Sequence, residues 1–458
     1  MSSPKVSGEA GKEEAGPSRA AELAGSDADG QVSRHRAEVD SSLEHGASGK
    51  SSPAPWAIDA PDGGLVAWLV VLGAWCTSFC SFGWINSIGI FQEYYSTELL
   101  NTYSSATIAW IPSLQLFFMM ASGPLVGRAF DSYGPRHIVL VGSFLHVFGL
   151  MMASISTKYY QILLSQGVCS AIGVACTFQP SLNCIMGWFG KNRGKAYGLM
   201  ATGSSLGGIV FPIMVDRLIH EVGFGWAMRV SGFLILFLLA IANLTVRARH
   251  APRPGSLTQE QMVTPFREPG FVLLMLGMSL LTFGIYVPIN YLPSQAIEAG
   301  IDKELAQYLI AILNAGSLFG RLMAGFVSDA LGKYNTFVAS CYVTAILTLA
   351  FWIPAATQSA VIAFAVLYGF FSGAYVSLIG ALVAQVSPLP EIGFRTGLIF
   401  LVLSVPGLVT NPIAGAIFLH CGGWTAVKVY TGVFITAGTT IILAARVAWA
   451  GPKLLVVF

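Results

Sequence analysis

At 458 residues, 54% hydrophobic and only 10% charged, with a mean hydropathy of +0.66, the chain is too apolar to carry a water-facing surface all round, and an ordinary soluble globular fold is excluded. A formal net charge of +2 gives no reason to expect a nucleic-acid partner. The lipid bilayer is the expected solvent.

Residues 1–58 are rich in Ser, Ala, Gly and Glu and nearly free of large apolar side chains before Trp56. They cannot bury enough surface to order themselves, so a disordered tail is expected. With Glu9, Glu13, Glu14 and Glu22 and no apolar core segment, the tail resembles neither a cleaved secretory signal nor an Arg-rich transit peptide. Beyond it come continuous apolar runs studded with Gly, as spanning helices tolerate, rather than the short alternating strands of a barrel. A span needs roughly 20 apolar residues. Twelve such runs, α1 to α12, are read at 65–92, 105–127, 138–155, 160–188, 195–219, 225–246, 269–292, 304–326, 336–354, 358–386, 396–418 and 424–449.

The fold class expected is therefore an all-α membrane protein with twelve transmembrane helices in two six-helix halves. The divisions are a tail (1–58), a first bundle (59–246), a central loop (247–267), a second bundle (268–450) and a short end (451–458). Basic residues crowd one set of short loops: Arg128, Arg136, Lys191, Arg193, Lys195, Arg247, Arg249, Arg253, Arg267, Lys333 and Arg395. The opposite loops offer Lys158, Arg217 and Lys303. By the positive-inside rule both termini and the central loop face the cytoplasm. Seven Cys lie in or beside apolar segments without zinc-like or paired spacing, so buried free thiols are expected, with no metal and no cofactor.

One short motif occurs twice. Gly127-x-x-x-Asp131-x-x-Gly134-x-Arg136 follows α2, and Gly325-x-x-x-Asp329-x-x-Gly332-x-Tyr334 follows α8. Further echoes run from Gly187-Trp188-Phe189 … Lys195-Ala196-Tyr197-Gly198, Gly203-Ser204-Ser205 and Pro212 to Arg395-Thr396-Gly397, Pro406-Gly407 and Pro412. Repeats at a nearly constant offset, in the same helix of each half, indicate a parallel internal repeat.

On these residues the chain resembles the major facilitator superfamily, whose signature loop lies between helices 2 and 3 with a weaker counterpart between helices 8 and 9. Within it the chain resembles the monocarboxylate porter family in a fungal style. That likeness is carried by Pro61-Asp62-Gly63-Gly64-x-x-Ala67-Trp68, by Trp188-Phe189-x-Lys191-x-Arg193-Gly194 and by Gly320-Arg321-x-x-x-Gly325. It covers about residues 60–450 and implies alternating access of two halves around a central site.

A carboxylate at the end of a helix can meet the positive N-terminal end of another. Asp131 is expected to latch onto the start of α11 near Arg395, and Asp329 onto the start of α5 near Arg193 and Lys195, with Gly127, Arg136 and Gly325 completing a cytoplasmic gate. Reversing the charge at Asp131 should abolish transport, and Arg395→Asp should restore part of it.

Arg321 is an expensive charge inside a span, placed about a turn and a half before the expected helix end, and the resemblance implies that it meets an anionic substrate. The alternative reading is a side chain that snorkels to the cytoplasmic interface or pairs within its half-bundle. Two departures from the family pattern stand out: Asn86 where animal lactate carriers have a lysine, and Ser317 where they have an acid. Simple lactate–proton symport is therefore not expected, and protons stay a possible partner on resemblance only. The other candidate substrate contacts are Gln179, Asn183, Tyr286, Asn290, Asn314 and Tyr375, with helices 1, 4, 7 and 10 lining the path and helix 8 contributing. Phe82, Trp84 and Phe91 would add aromatic surface. His146 is either a titrating group or a packed donor.

No Gly-x-x-x-x-Gly-Lys-Ser/Thr loop and no nucleophile constellation occurs, so the chain is not read as an enzyme. The function expected is secondary transport of a small organic acid or acidic, partly apolar metabolite, as efflux of a fungal secondary product. Import of a monocarboxylate or riboflavin-like nutrient is the alternative, and a non-transporting sensor is remoter. The plasma membrane is the expected site, with the vacuole as rival, and a monomer is sufficient for transport.

Overall fold

The computed structural model describes residues 60–250 and 258–452. The tail expected over 1–58 lies outside the described residues. Among those described, twelve helices are long and apolar enough to cross a bilayer. They are α1 Leu65–Leu99, α2 Ala106–Tyr133, α3 Pro135–Ser154, α4 Tyr159–Trp188, α5 Arg193–Val222, α6 Phe224–Thr245, α7 Pro269–Glu298, α8 Lys303–Leu331, α9 Lys333–Trp352, α10 Gln358–Val386, α11 Leu389–His420 and α12 Gly423–Ala450.

Several helices outrun the apolar pattern. A helix of 29 residues such as α8 spans about 43 Å at 1.5 Å per residue, more than the ~30 Å hydrocarbon layer. Hydropathy marks only the part in lipid, while the hydrogen-bond ladder continues through polar ends. Consequently Asp131 and Asp329 belong to the last turns of α2 and α8 rather than to loops. Each motif's second glycine then turns the chain: Gly134 has φ 77° and Gly332 has φ 95°, a left-handed region costly for other residues.

The first half packs its far end on an aromatic cluster of Trp84, Phe91, Tyr95, Phe211 and Phe224. A larger core runs on from Tyr197 and Leu182 into Tyr375, Leu378 and Leu382 of the second half. His146 is fully buried, with Nδ1 2.8 Å from Ser170 Oγ and Nε2 3.1 Å from the Cys80 carbonyl, so it ties α3 to α4 and α1. The thiols are free and the described ones are buried or half-buried, apart from Cys421, which is exposed at the α11–α12 turn. That corrects the expectation of burial for all seven: Cys421 follows the last apolar turn of α11. Between α6 and α7 a short surface helix, Gln259–Arg267, begins with a capping box between Thr258 and Gln261.

Candidate substrate cavity and gate

The two motif carboxylates make the same contact twice. Asp131 Oδ1 accepts from Gly393 N at 2.9 Å and Oδ2 from Phe394 N at 2.8 Å. Asp329 Oδ1 accepts from Gly194 N at 2.8 Å and Oδ2 from Lys195 N at 3.0 Å. In each case the donors lie in the first α-helical turn, which begins at Ile392 in α11 and at Arg193 in α5, where helix N–H groups want outside acceptors. The carboxylate comes from the other half, so both contacts join the halves at one end of the molecule, the motif face.

The partners are backbone groups, and this revises the roles of three residues. Arg395 points away from Asp131: its Nη1 and Nη2 donate to the two Glu268 oxygens at 2.7 Å each, and its Nε donates to Glu391 Oε2 at 3.0 Å. Lys195 offers its N–H, while its Nζ donates to Asn192 Oδ1 at 2.9 Å. Arg136 is exposed on α3. Rescue of a reversed Asp131 by Arg395→Asp is therefore not expected, because it would leave Glu268 and Glu391 facing a new acid.

Gly127 and Gly325 let the backbones touch. A Cβ on Gly127 would fall 1.9 Å from the Gly393 carbonyl oxygen, and one on Gly325 would fall 2.7 Å from that of Gly194. Four residues before each lies the point where the copies part. In α2 it is Gly123, whose absent Cβ would sit 2.5 Å from the Gly397 oxygen. In α8 it is Arg321. Its Nη1 donates to the Ala201 carbonyl at 2.6 Å and to Ser204 Oγ, both on α5, while its buried Nε has no partner. Arg321 joins none of the described ion pairs. Both partners lie on α5 in the other half, so the side chain reaches across the seam rather than pairing within its own bundle or running along α8 toward an interface.

Arg321 and Ser204 form the floor of a cavity of about 880 Å³ that runs between the halves toward the end opposite the motifs. Its wall brings together Asn86, Tyr286, Asn290, Asn314, Ser317 and Tyr375 from the sequence-based set, with Phe82. Asn86 sits where α1 is interrupted: the hydrogen-bond ladder widens over Phe79–Gly83 and the helix resumes at Ile88. Its amide donates to the Phe82 carbonyl at 2.7 Å and accepts from Asn314 Nδ2 at 3.2 Å, across the two halves. Asn290 donates to Asn411 Oδ1 at 2.8 Å, and Tyr375 meets Thr282 Oγ1 at 2.7 Å. Glu93 and Arg321 are the charged residues on this wall, and Glu93 lies at the rim, where Lys303 Nζ is 3.1 Å from it.

Other candidates lie elsewhere. Gln179 and Asn183 of α4 are buried but off the wall. Gln179, with its amide turned to satisfy both ends, donates to the Gly123 carbonyl at 3.1 Å and accepts from Gly397 N at 3.2 Å, so it bridges the α2–α11 crossing. Trp84 and Phe91 pack against each other at a tilt in the first-half core, ring centroids 5.1 Å apart. Helix α4 supplies no lining residue, whereas α2 and α11 supply Trp110, Leu116, Leu408 and Asn411. Ser204 and Asn411 escape sequence reasoning: one hides in a Ser–Ser pair within a glycine-rich stretch, and the other precedes Pro412 on a helix not expected at the cavity. Among the described residues no cluster of three or more His, Cys, Asp or Glu is arranged to hold a metal.

A sequence profile of the Major Facilitator Superfamily matches residues 73–360 and 274–455. The chain belongs to this superfamily. It is 58% identical over 398 residues to the MFS transporter asaE of Aspergillus flavus, covering 86% of this chain and 90% of that protein. It is 54% identical over 400 residues to the fujikurins efflux protein of Gibberella fujikuroi, covering 87% and 86%. Among solved structures, the Escherichia coli fucose:proton symporter FucP superposes with a TM-score of 0.67 at 12% identity over 82% of this chain and 98% of that one, a likeness of fold. Each copy of the doubled motif joins one seam between the two halves.

Proposed function

We propose that the protein exports an acidic, partly apolar secondary metabolite by alternating access. The observation that carries this reading is Arg321: a buried guanidinium whose Nε has no hydrogen-bond partner and which has no carboxylate partner among the described ion pairs, at the floor of a large cavity of mixed polarity. A cation in such a place is costly unless something anionic completes it. An acidic head group would supply that charge, and Ile285, Ile289, Leu408 and Phe82 would face the apolar body. Export is favoured by the relative named for fujikurin efflux, 54% identical over most of both chains.

In this reading Asp131 and Asp329 are latches that close the cytoplasmic side while the cavity faces outward, and the bundles 59–246 and 268–450 rock apart there to load substrate. Pro61-Asp62-Gly63-Gly64 supports a monocarboxylate-porter type within the superfamily, and the plasma membrane is the site where export would empty the cell. The test is accumulation in inside-out vesicles of amphipathic carboxylic or enolic acids against their methyl ethers and esters, with and without a pH gradient. Wild-type vesicles should concentrate the acids and ignore the esters, and Arg321→Gln should concentrate neither. Equal transport of acid and ester would remove the assignment.

A further inference from the structure

The Pro61-Asp62-Gly63-Gly64 segment has no part in the cavity, yet its geometry is unusual. Asp62 has φ 54° and is the one non-glycine residue with positive φ among those described, a conformation that Asp and Asn adopt at less cost than other side-chain-bearing residues. The turn sets its carboxylate over the connection between α4 and α5. Oδ1 accepts from Gly190 N at 2.7 Å and from Asn192 N at 3.1 Å. The backbone joins in: Asp62 N donates to the Trp188 carbonyl at 3.1 Å, and Asn192 Nδ2 donates to the Asp62 carbonyl at 3.4 Å. This connection runs directly into α5, whose N-cap is Asn192. The next N–H groups but one, on Gly194 and Lys195, are those Asp329 holds.

The second half repeats the plan in other chemistry. Glu268 is the N-cap of α7, as Asp62 lies just before α1. It grips the start of α11 through both terminal nitrogens of Arg395, next to the Gly393 and Phe394 N–H groups that Asp131 holds. In both halves, then, an acid ahead of the first helix fastens the start of the fifth, and the other half's motif carboxylate docks on that start.

We propose that Asp62 is a positioning residue for the α5 latch, and that Glu268, acting through Arg395, does the same for the α11 latch. Each bond lies within one half and survives the rocking, so the N–H pair stays ordered while the latch is open and need not be ordered again when it closes. The proposal rests on reading Asp131 and Asp329 as latches.

The experiment measures latch opening directly. Ser328 is buried beneath the α5 start, with its Oγ 2.1 Å from where a Gly194 Cβ would lie. In a Cys421→Ser background, the labelling rate of Ser328→Cys by a membrane-impermeant maleimide reports how often that seam parts. Asp62→Gly relieves the backbone strain but removes the acceptor, and it should raise labelling roughly tenfold, the scale on which one buried hydrogen-bond acceptor shifts an equilibrium. Asp62→Asn keeps an oxygen in the same place and should label like wild type. Asp329→Asn should raise labelling alone, and adding Asp62→Gly to it should raise it no further, whereas Asp62→Gly and Asp131→Asn should multiply.

If Asp329→Asn leaves labelling unchanged, the latch reading fails and this proposal with it. If Asp329→Asn opens the seam but Asp62→Gly does not, or the two effects multiply, the positioning role alone is overturned. Should Asp62→Gly not accumulate in the membrane, Asp62→Ser, whose shorter side chain takes the carboxylate away from the Gly190 and Asn192 N–H groups, carries the same expectation and the same refutation.

Discussion

Two seams hold the halves together, α5 against α8 and α2 against α11, and they start alike and end differently. Each begins at the motif face with a carboxylate on two N–H groups and a glycine-lined backbone crossing. The α5–α8 side then continues as polar ties: Arg321 to Ala201 and Ser204, Asn314 to Asn86, and Lys303 to Glu93 at the far rim. The α2–α11 seam has glycine against glycine at Gly123 and Gly397, with Gln179 beneath, and beyond Leu116 and Gly407 it widens into the cavity. Closure is thus common to both copies of the repeat, and the charged floor of the cavity is peculiar to one. On the function proposed above, motion resides where the halves agree, and recognition where they differ.

The sharpest test of that division is Arg321→Ala. It removes the one charged feature that distinguishes the seams at the floor, and export should fall by roughly 100-fold or more, as when a buried charge loses its role in recognition. The motif-face crossing should be intact, so labelling of Ser328→Cys should change far less than transport does. A comparable change in both would mean that Arg321 serves closure instead.

Next in size is a contrast between single methyl groups. Gly127→Ala forces a carbon to 1.9 Å from the Gly393 oxygen, whereas Gly198→Ala meets the Arg321 carbonyl oxygen at 2.8 Å. Overpacking costs of about 1–3 kcal/mol correspond to a loss of roughly 50-fold for the first and several-fold for the second. Initial export rates at matched expression would measure both. Equal losses would show that the two crossings carry the same load.

Asp131→Asn keeps one acceptor and loses the charge that favours a helix N-terminus, for an expected fall of about tenfold. Asp131→Lys should be inactive, and the double variant with Arg395→Asp should be inactive too, since Arg395 is already engaged by two acids. Recovery in that double variant would place a side-chain pair where the structure has backbone donors. The smallest effect is expected for Glu93→Gln. Its pair with Lys303 is half to two-thirds exposed, so transport should change less than about twofold at physiological salt.

Much of the architecture was legible because lipid imposes a coarse code: apolar runs of sufficient length, glycine and proline at matching places, and a motif said twice. The partners of Asp131 and Asp329 were legible to the level of the helix end, since a carboxylate and an N-terminus attract whatever the side chains are. Sequence could not say that the donors were main-chain groups, so Arg395 and Lys195 drew attention through their charge while Glu268, the true partner of Arg395, went unnoticed. Cavity residues were harder still. Asn86, Tyr286 and Asn314 face the space and Gln179 and Asn183 do not, although all are polar residues in apolar helices. The difference depends on helix rotation, and a helix hydrophobic nearly all round leaves no periodic signal to fix it. Helices α2 and α11 entered the wall because the halves are splayed at that end, a property of conformational state that no residue pattern encodes.

The gripping of main-chain amides has a consequence for how such a protein can change over time. A pair of oppositely charged side chains can be lost by altering either member, but a main-chain N–H is present in every residue except proline. The docking side of each latch is therefore almost immune to replacement: Lys195 and Phe394 can be exchanged widely without deleting the group that is held. Variation in this region is limited mainly by volume at the crossings and by the carboxylates themselves. A randomised library over positions 193–195 and 393–395 should accordingly tolerate many chemistries at 195 and 394 and few shapes at 194 and 393.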